Sequence, residues 1–370
     1  MTPEGTGNGP PPRANPDLLG HKAAERALRR LFETGRMPHA VLMTGPRGIG
    51  KATLAYRLAR FVLAHGATGS EGTPAVEDES TLAVPADCGV FRRIASGGHA
   101  DLLTVERAYD PRRRRLRSEI VVDDAREIAA FLRRTPAEGG WRVVVVDSAD
   151  EMNRSAANAL LKILEEPPRR ALLLLVAHSP GRLLPTIRSR CRRFPLQPLP
   201  PPIVSRLLDT YRPGLPQAKS TALVALTDGS IGRALELAEA GGVELYHEIL
   251  ALLSREQGVD PAALHALADR VSRGEADSAY RAVEELLSHV LGEIAVQAAG
   301  GNSGRKPRPE ADRVLHRLGA AASAVRWAEL RAQVAAIFAR GEALNLDRKQ
   351  TILGAFFAVE RIARRSAPRR

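Results

Sequence analysis

Gly45-Pro46-Arg47-Gly48-Ile49-Gly50-Lys51-Ala52-Thr53 is the stretch that decides the fold of this chain. It follows the apolar run Ala40 to Met43 and opens a helical pattern, the strand–loop–helix setting of a phosphate-binding loop. Gly45, Gly48 and Gly50 let backbone N–H groups close around phosphates, and Lys51 brings a point charge to the outer ones. The residue after the lysine, where a serine or threonine hydroxyl would hold Mg²⁺, is Ala52. Thr53 follows one position later, rotated by about 100° around the helix, so its hydroxyl does not face the same metal position. Two readings stand: a loop that still binds nucleotide, and a degenerate loop that keeps only the turn.

Outward from the loop, short apolar runs alternate with helical patterns, which predicts a parallel sheet covered by helices. The expected strands are Ala40–Met43, Leu102–Val105, Arg142–Asp147 and Ala171–Ala177. Val143–Val146 and Leu172–Val176 are apolar at successive positions, as central strands buried on both faces require. A helix is expected over 153–166, stopped by Pro167-Pro168. Asp147 ends its strand where it can hold Mg²⁺ through water or simply cap a turn. The next residue, where a hydrolase needs a carboxylate to position water, is Ser148. That loss is worth roughly 10²–10⁴ in rate. Asp150, three residues beyond Asp147, does not take over that role, and slow or absent turnover is expected.

Leu196-Gln197-Pro198-Leu199-Pro200-Pro201-Pro202 forms a stiff connector, after which strand patterns stop. Three short helical patterns, Ile203–Tyr211, Lys219–Leu226 and Ile231–Ala240, suggest a small three-helix module. Longer amphipathic helices follow, such as Ala279–Gln297 and Ala328–Arg340, broken by a polar loop over 300–309. The expected division is a flexible tail over 1–16, a P-loop α/β domain over 17–197, a helical lid over 203–241 and an all-α domain over 243–365.

The 370 residues suffice for two or three domains, and 44% hydrophobic content excludes wholesale disorder. No stretch is long and apolar enough to cross a bilayer. The first twenty residues lack the basic and apolar regions of a secretion signal. Cys88 and Cys191 make no disulfide framework, which fits a reducing cytoplasm. The net charge of +12 is carried mostly by arginine, in runs such as Arg112–Arg115 and the tail Arg364, Arg365, Arg369 and Arg370. These runs read either as solvated surface or as sites for non-specific contact with nucleic-acid phosphates. Aromatic residues are only 4%, too few for base-stacking platforms.

The basic cluster Thr186-Ile187-Arg188-Ser189-Arg190-Cys191-Arg192-Arg193 lies beyond the Leu172–Val176 strand. An arginine at a subunit edge can stabilise the transition state on a neighbour's γ-phosphate, an effect of about 10³–10⁵ in rate. On composition alone such a cluster is equally a solvated surface.

Three segments together resemble bacterial clamp-loader subunits of the AAA+ class: Asn158-Ala159-Leu160-Leu161-Lys162-Ile163-Leu164-Glu165-Glu166-Pro167-Pro168, Ser189-Arg190-Cys191, and the run from Thr135 to Asp147. Within that class the chain is most similar to the delta-prime subunits of DNA polymerase III. The likeness runs from Leu19-Gly20-His21 into the C-terminal helices. It is most specific between Gly45 and Arg193 and weak beyond residue 240. It implies a P-loop AAA+ domain, a lid and a helical collar that joins a ring with delta and gamma/tau subunits. It implies a sliding clamp and primed DNA as further partners, within a DNA polymerase holoenzyme. The resemblance assigns Arg190 a role in trans on the ATP of an adjacent subunit. Ala177-His178-Ser179 occupies the place of the γ-phosphate sensor, and Gly229-Ser230-Ile231-Gly232-Arg233 the place that offers a second sensing arginine, Arg233. The nucleotide-binding set is then Gly45, Gly48, Gly50, Lys51, Thr53, Asp147 and Arg233, with ATP and its Mg²⁺ left open as ligands.

Two departures matter. Many relatives carry a four-cysteine zinc module, whereas here Cys88 stands with Phe91, Arg92 and His99 but without companion cysteines, so no zinc is expected. Ala52 and Ser148 separate the chain from the motor subunits. An ATP-hydrolysing gamma/tau-like motor, a stand-alone DNA-repair or recombination ATPase, and an inert P-loop relative remain the competing readings.

Overall fold

In the computed structural model the described residues are 9–66, 81–110, 115–138, 140–255, 257–273, 277–301 and 308–365. They fall into two compact units, one of residues 1–211 and 228–233, the other of residues 212–227 and 234–370.

The first unit contains α1 (Lys22–Glu33), β1 (Ala40–Thr44), α2 (Lys51–His65), α3 (Gly89–Ala95) and β2 (Leu102–Val105). A two-residue hairpin pair, β3 (Tyr109–Asp110) and β4 (Arg115–Leu116), comes next, then α4 (Val122–Leu132) and β5 (Arg142–Val146). It closes with α5 (Arg154–Glu165), β6 (Ala171–Ala177), α6 (Pro185–Arg190), β7 (Arg192–Pro195) and α7 (Pro201–Tyr211). The five main strands form one parallel sheet in the order β2-β5-β6-β1-β7.

Side chains alternate across a strand with period two, so one apolar run feeds two cores. Val41, Met43, Val143, Val145, Leu172 and Leu174 face a core completed by Leu54, Leu58 and Phe61 of α2 and Leu28 of α1. Leu42, Val144, Val146, Leu173 and Leu175 face the opposite core, with Ile128 and Leu132 of α4, Leu160 and Leu164 of α5, and Ile187 and Cys191 around α6. Burial on both faces is why these strands read as continuous apolar runs. Asn153 starts α5 by accepting a hydrogen bond from Ala156 N at 2.9 Å, and Pro167-Pro168 follow its end.

The edge strand β7 is mostly exposed. Its arginines and its terminal proline blunt an edge that would otherwise invite pairing with another chain. The start of the chain is also tied down where it is described. Pro12–Ala14 make a single 3₁₀ turn, and Arg60 Nη2 of α2 donates to Asn15 O at 2.8 Å. Arg57 donates to Pro16 O and to the Glu25 carboxylate, while the Arg60 guanidinium lies 4.4 Å from the Phe91 ring centroid. Residues 1–8 of the expected flexible tail lie outside the described residues.

The second unit is helical: α8 (Gln217–Leu226), the later part of α9 (Ile231–Glu239), α10 (Gly242–Ser254), α11 (Pro261–Arg273), α12 (Asp277–Ala298), α13 (Pro309–Ala321), α14 (Ala324–Leu344) and α15 (Arg348–Arg365). On α14 the buried set Trp327, Leu330, Val334, Phe338 and Gly341 recurs every three or four residues, the spacing that puts one face of a helix in a core. Glu293 of α12 is buried against His289 and Arg308, whose Nη1 also donates to Tyr246 Oη at 3.0 Å. Burial pushes the Glu293 pKa up, but hydrogen bonds and charge from His289 and Arg308 outweigh it and hold the group at about 2. No described helix is long and apolar enough to cross a membrane.

Candidate functional site

The phosphate loop begins where β1 ends. Gly45, Gly48 and Gly50 have φ values of 146°, 75° and 98°, which side-chain-bearing residues rarely adopt. Lys51 then starts α2 and turns back over the loop, its Nζ donating to Gly45 O at 2.7 Å and to Pro46 O at 2.5 Å. Only 3% of the residue is exposed. Burial lowers its pKa to about 8; Asp147 and Asp150 oppose that shift and Arg47 adds to it. The lysine is thus charged at neutral pH and spends two of its three donors on the loop's own carbonyls. His21, at the start of α1, braces the loop from the other side by donating from Nε2 to Ile49 O at 2.7 Å. Burial lowers the His21 pKa, helped by Lys51, although the bond to Ile49 opposes the shift.

The segment Gly229–Arg233 lies directly on the loop. Ser230 Oγ donates to Arg47 O at 2.8 Å, and Gly232 N donates to Gly48 O at 2.9 Å. A methyl group at Gly48 would sit 2.3 Å from Ser230 Oγ, so this glycine is required for contact as well as for its φ. Arg233 N donates to Ser230 Oγ at 3.2 Å, which brings Arg233, in the first turn of α9, to the same end of the sheet as Lys51.

Asp147 follows β5, its backbone N donating to Val105 O at 2.9 Å. Burial raises its pKa to about 6, Glu106 and Glu151 add to the rise, and Lys51 opposes it. The position that would offer a metal-binding hydroxyl carries the Ala52 methyl, and Thr53 lies one step further along the first turn of α2. Ser148 adopts a left-handed conformation with φ 64°, and its hydroxyl lies 3.0 Å from His178 Nε2. Burial and the nearby Lys51 charge push the His178 pKa down to about 4, against the pull of Asp150, so the imidazole is neutral. The tautomer of the ring decides which of the two groups donates. Asp150 is engaged on the backbone: its two carboxylate oxygens accept from His178 N at 3.0 Å and Ser179 N at 2.7 Å. It pins the chain after β6.

The cradle, its lysine and Asp147 fit the phosphates of a nucleotide. Gly45, Gly48, Gly50 and Lys51 would hold them, with Asp147 and Arg233 at the rim, while the usual hydroxyl ligand of Mg²⁺ is missing. Among the described residues no group of three His, Cys, Asp or Glu side chains is arranged to hold a metal. His99, near Cys88 in sequence, is buried and accepts from Asp101 N at 3.2 Å through Nδ1.

Arg190 stands at the other end of the sheet. It is the last residue of α6, between fully buried Ile187 and nearly buried Cys191, which is 9% exposed. Its Nη2 contacts Glu165 Oε1 at 2.9 Å and its Nη1 donates to Thr186 O at 3.1 Å. Arg192 pairs in register with Val41, so Gly45 lies four residues further along the parallel strands. That is roughly 13 Å at the usual strand rise. Arg190 precedes Arg192 by two residues and points from the N-terminal strand ends. Its side chain cannot serve the phosphate loop of its own chain.

Of the residues predicted from sequence, Gly45, Gly48, Gly50, Lys51, Asp147 and Arg233 gather at the C-terminal strand ends, with Thr53 just behind. Arg190 is separate from them. Sequence reasoning missed the Ser148–His178 pair, the Ser230 contact, the His21 brace and Glu165, all of which depend on contacts between distant segments. Arg112–Arg114, Arg369 and Arg370 of the basic runs lie outside the described residues.

Known proteins similar in sequence to this chain include DNA polymerase III subunits. A family model described as DNA polymerase III, delta subunit, matches residues 20–200. A delta' subunit of DNA polymerase III from Pseudomonas aeruginosa is 38% identical over 199 residues, covering 52% of this chain and 53% of that protein. The delta' subunit of Escherichia coli is 30% identical over 253 residues, covering 64% of this chain and 70% of that protein. The tau subunit of Escherichia coli is 33% identical over 191 residues, covering 51% of this chain but 26% of that protein. The chain thus spans about half the length of the Pseudomonas relative and about a quarter of the tau subunit. A gamma subunit-related protein from Thermotoga maritima has a solved structure with a TM-score of 0.43 and 19% identity, covering 91% of this chain and 98% of that one.

Proposed function

The chain belongs to the delta' family of DNA polymerase III subunits, and on that premise we propose that it is a clamp-loader subunit that does not itself hydrolyse ATP. In this reading it completes a ring with delta and gamma/tau subunits through its helical second unit. It presents Arg190 to the ATP of a neighbouring subunit and supports ATP-dependent loading of the sliding clamp on primed DNA. The lid is the helical segment over 203–241, and the nucleotide site of Gly45, Gly48, Gly50, Lys51, Thr53, Asp147 and Arg233 binds ATP without turning it over. Basic surfaces add phosphate contacts to DNA, and the cytoplasm is its place of work.

The observation that carries this reading is the position of Arg190, half-buried at the strand ends opposite its own phosphate loop. An arginine so placed is out of reach of its own phosphate loop and open to a neighbouring chain. Ala52, Ser148 and the committed carboxylate of Asp150 support the silent nucleotide site. A hydrolysing motor is the competing role; Lys51 and Asp147 favour it, and the missing hydroxyl and base oppose it.

The test is clamp loading on primed DNA by an assembly reconstituted with and without the chain. Loading that depends on the chain, while the chain alone turns over no ATP, is the expected result. Loading that proceeds equally without it, or robust turnover by the isolated chain, would overturn the reading.

A further inference from the structure

We propose that Glu165 is a positioning residue for Arg190, holding its guanidinium in the orientation in which it meets a neighbour's phosphate. The proposal rests on the reading of Arg190 as an arginine that acts in trans. Two helix ends converge at this point. Glu165 closes α5 just before Pro167-Pro168, and Arg190 closes α6. Each is backed by a buried neighbour in the same core, Leu164 behind Glu165 and Cys191 behind Arg190. The two backbones are therefore fixed relative to one another, while the side chains between them reach the surface.

A guanidinium carries five N–H donors. One goes to Glu165 and one to Thr186 O, which leaves three for an outside acceptor. Thr186 lies one turn back on the same helix, so its carbonyl cannot tie Arg190 to a second element. Among the described residues Glu165 does that. The two side chains are 36% and 50% exposed, a setting in which an ion pair adds little to folding. Its effect is on orientation. A free arginine surrenders rotamer freedom when it engages a phosphate, and one held beforehand surrenders less.

The test uses the reconstituted clamp-loader assembly, with steady-state kcat and KM for ATP measured for Glu165→Gln, Glu165→Asp, Arg190→Ala and the double variant Glu165→Gln/Arg190→Ala. Thermal melts of each variant chain establish that it is folded. Glu165→Gln is expected to lower kcat by about three- to tenfold with KM little changed, a loss of pre-organisation and not of ground-state binding. Glu165→Asp, which keeps the charge, recovers most of the rate. The double variant is no slower than Arg190→Ala, because both act through one group. An unchanged kcat in Glu165→Gln, beside a large loss in Arg190→Ala, would overturn the positioning role and leave the arginine's role intact. A raised kcat would also overturn it, since Glu165 would then compete with the phosphate. No effect of Arg190→Ala would remove the arginine's role itself, and the positioning role with it.

Discussion

Ser148 Oγ lies 3.0 Å from His178 Nε2, which ties the chain leaving β5 to the first residue after β6. In a hydrolase of this architecture the serine's position would need a free carboxylate. Here it is filled by a short side chain whose hydroxyl is already engaged by a neutral histidine. Nδ1 of the same ring is buried without a hydrogen bond in the described structure. The pair is a structural clasp beside the phosphate loop and not a base.

Removing the clasp should cost stability and nothing else. Ser148→Ala deletes one hydrogen bond and is expected to lower unfolding free energy by about 0.5–1.5 kcal/mol. Urea melts of the two chains measure this. Turnover by the variant chain should stay as low as that of the wild type; a gain would mean that the serine suppresses a base elsewhere.

The lysine of the loop makes nucleotide binding pH-dependent. Burial places the Lys51 pKa at about 8, so its charge is present below pH 8 and lost above it. A bound phosphate favours the charged form, and binding therefore takes up a proton as the pH rises past that point. ATP affinity should fall from pH 8 to pH 9.5, approaching about tenfold per pH unit. Calorimetric titration with ATP tests this, with Lys51→Met expected to flatten the profile. A flat profile in the wild type would show that Lys51 stays on the Gly45 and Pro46 carbonyls and never meets the phosphate.

The strands and the loop are legible in the sequence because their requirements are local. Three glycines at positive φ, a lysine opening a helix, and apolar runs at Val143–Val146 and Leu172–Val176 each carry their own signal. The edge strand β7 has no such signal. Arg192-Arg193-Phe194-Pro195 reads as a basic patch, and only its pairing with Val41–Thr44 makes it a strand. The same holds for the site. Asp150 reads as a spare carboxylate, yet its oxygens are held by two N–H groups 28 and 29 residues away. On composition alone Arg190 is one arginine among several, and in the sequence only the Ser189-Arg190-Cys191 resemblance singles it out. What distinguishes it is the sheet register that sets it far from Lys51, together with Glu165 on another helix, and neither follows from periodicity.

The second unit contains an acid whose surroundings work against its charge. Burial, followed by the charge of Glu342, raises the Glu284 pKa to about 7 against the pull of Arg281. An acid whose folded pKa is raised stabilises the fold while protonated, and that stability is lost as pH rises from about 4.5 towards 7. Glu284→Gln removes the buried charge. It should be more stable than the wild type at pH 8.5, by on the order of 1–3 kcal/mol, and no more stable at pH 4.5. Melting curves at the two pH values decide it; an equal difference at both would mean that the effect is packing and not charge.

The central claim is that this chain lends an arginine to a neighbour while leaving its own site silent. The most direct measurement is steady-state ATP turnover by the assembled clamp loader containing either the wild-type chain or Arg190→Ala, with turnover by the chain alone subtracted. A loss of about 10³–10⁵ at the affected site, over a background near zero, is the result expected. Undiminished turnover with Arg190→Ala, or strong turnover by the chain alone, would contradict the claim.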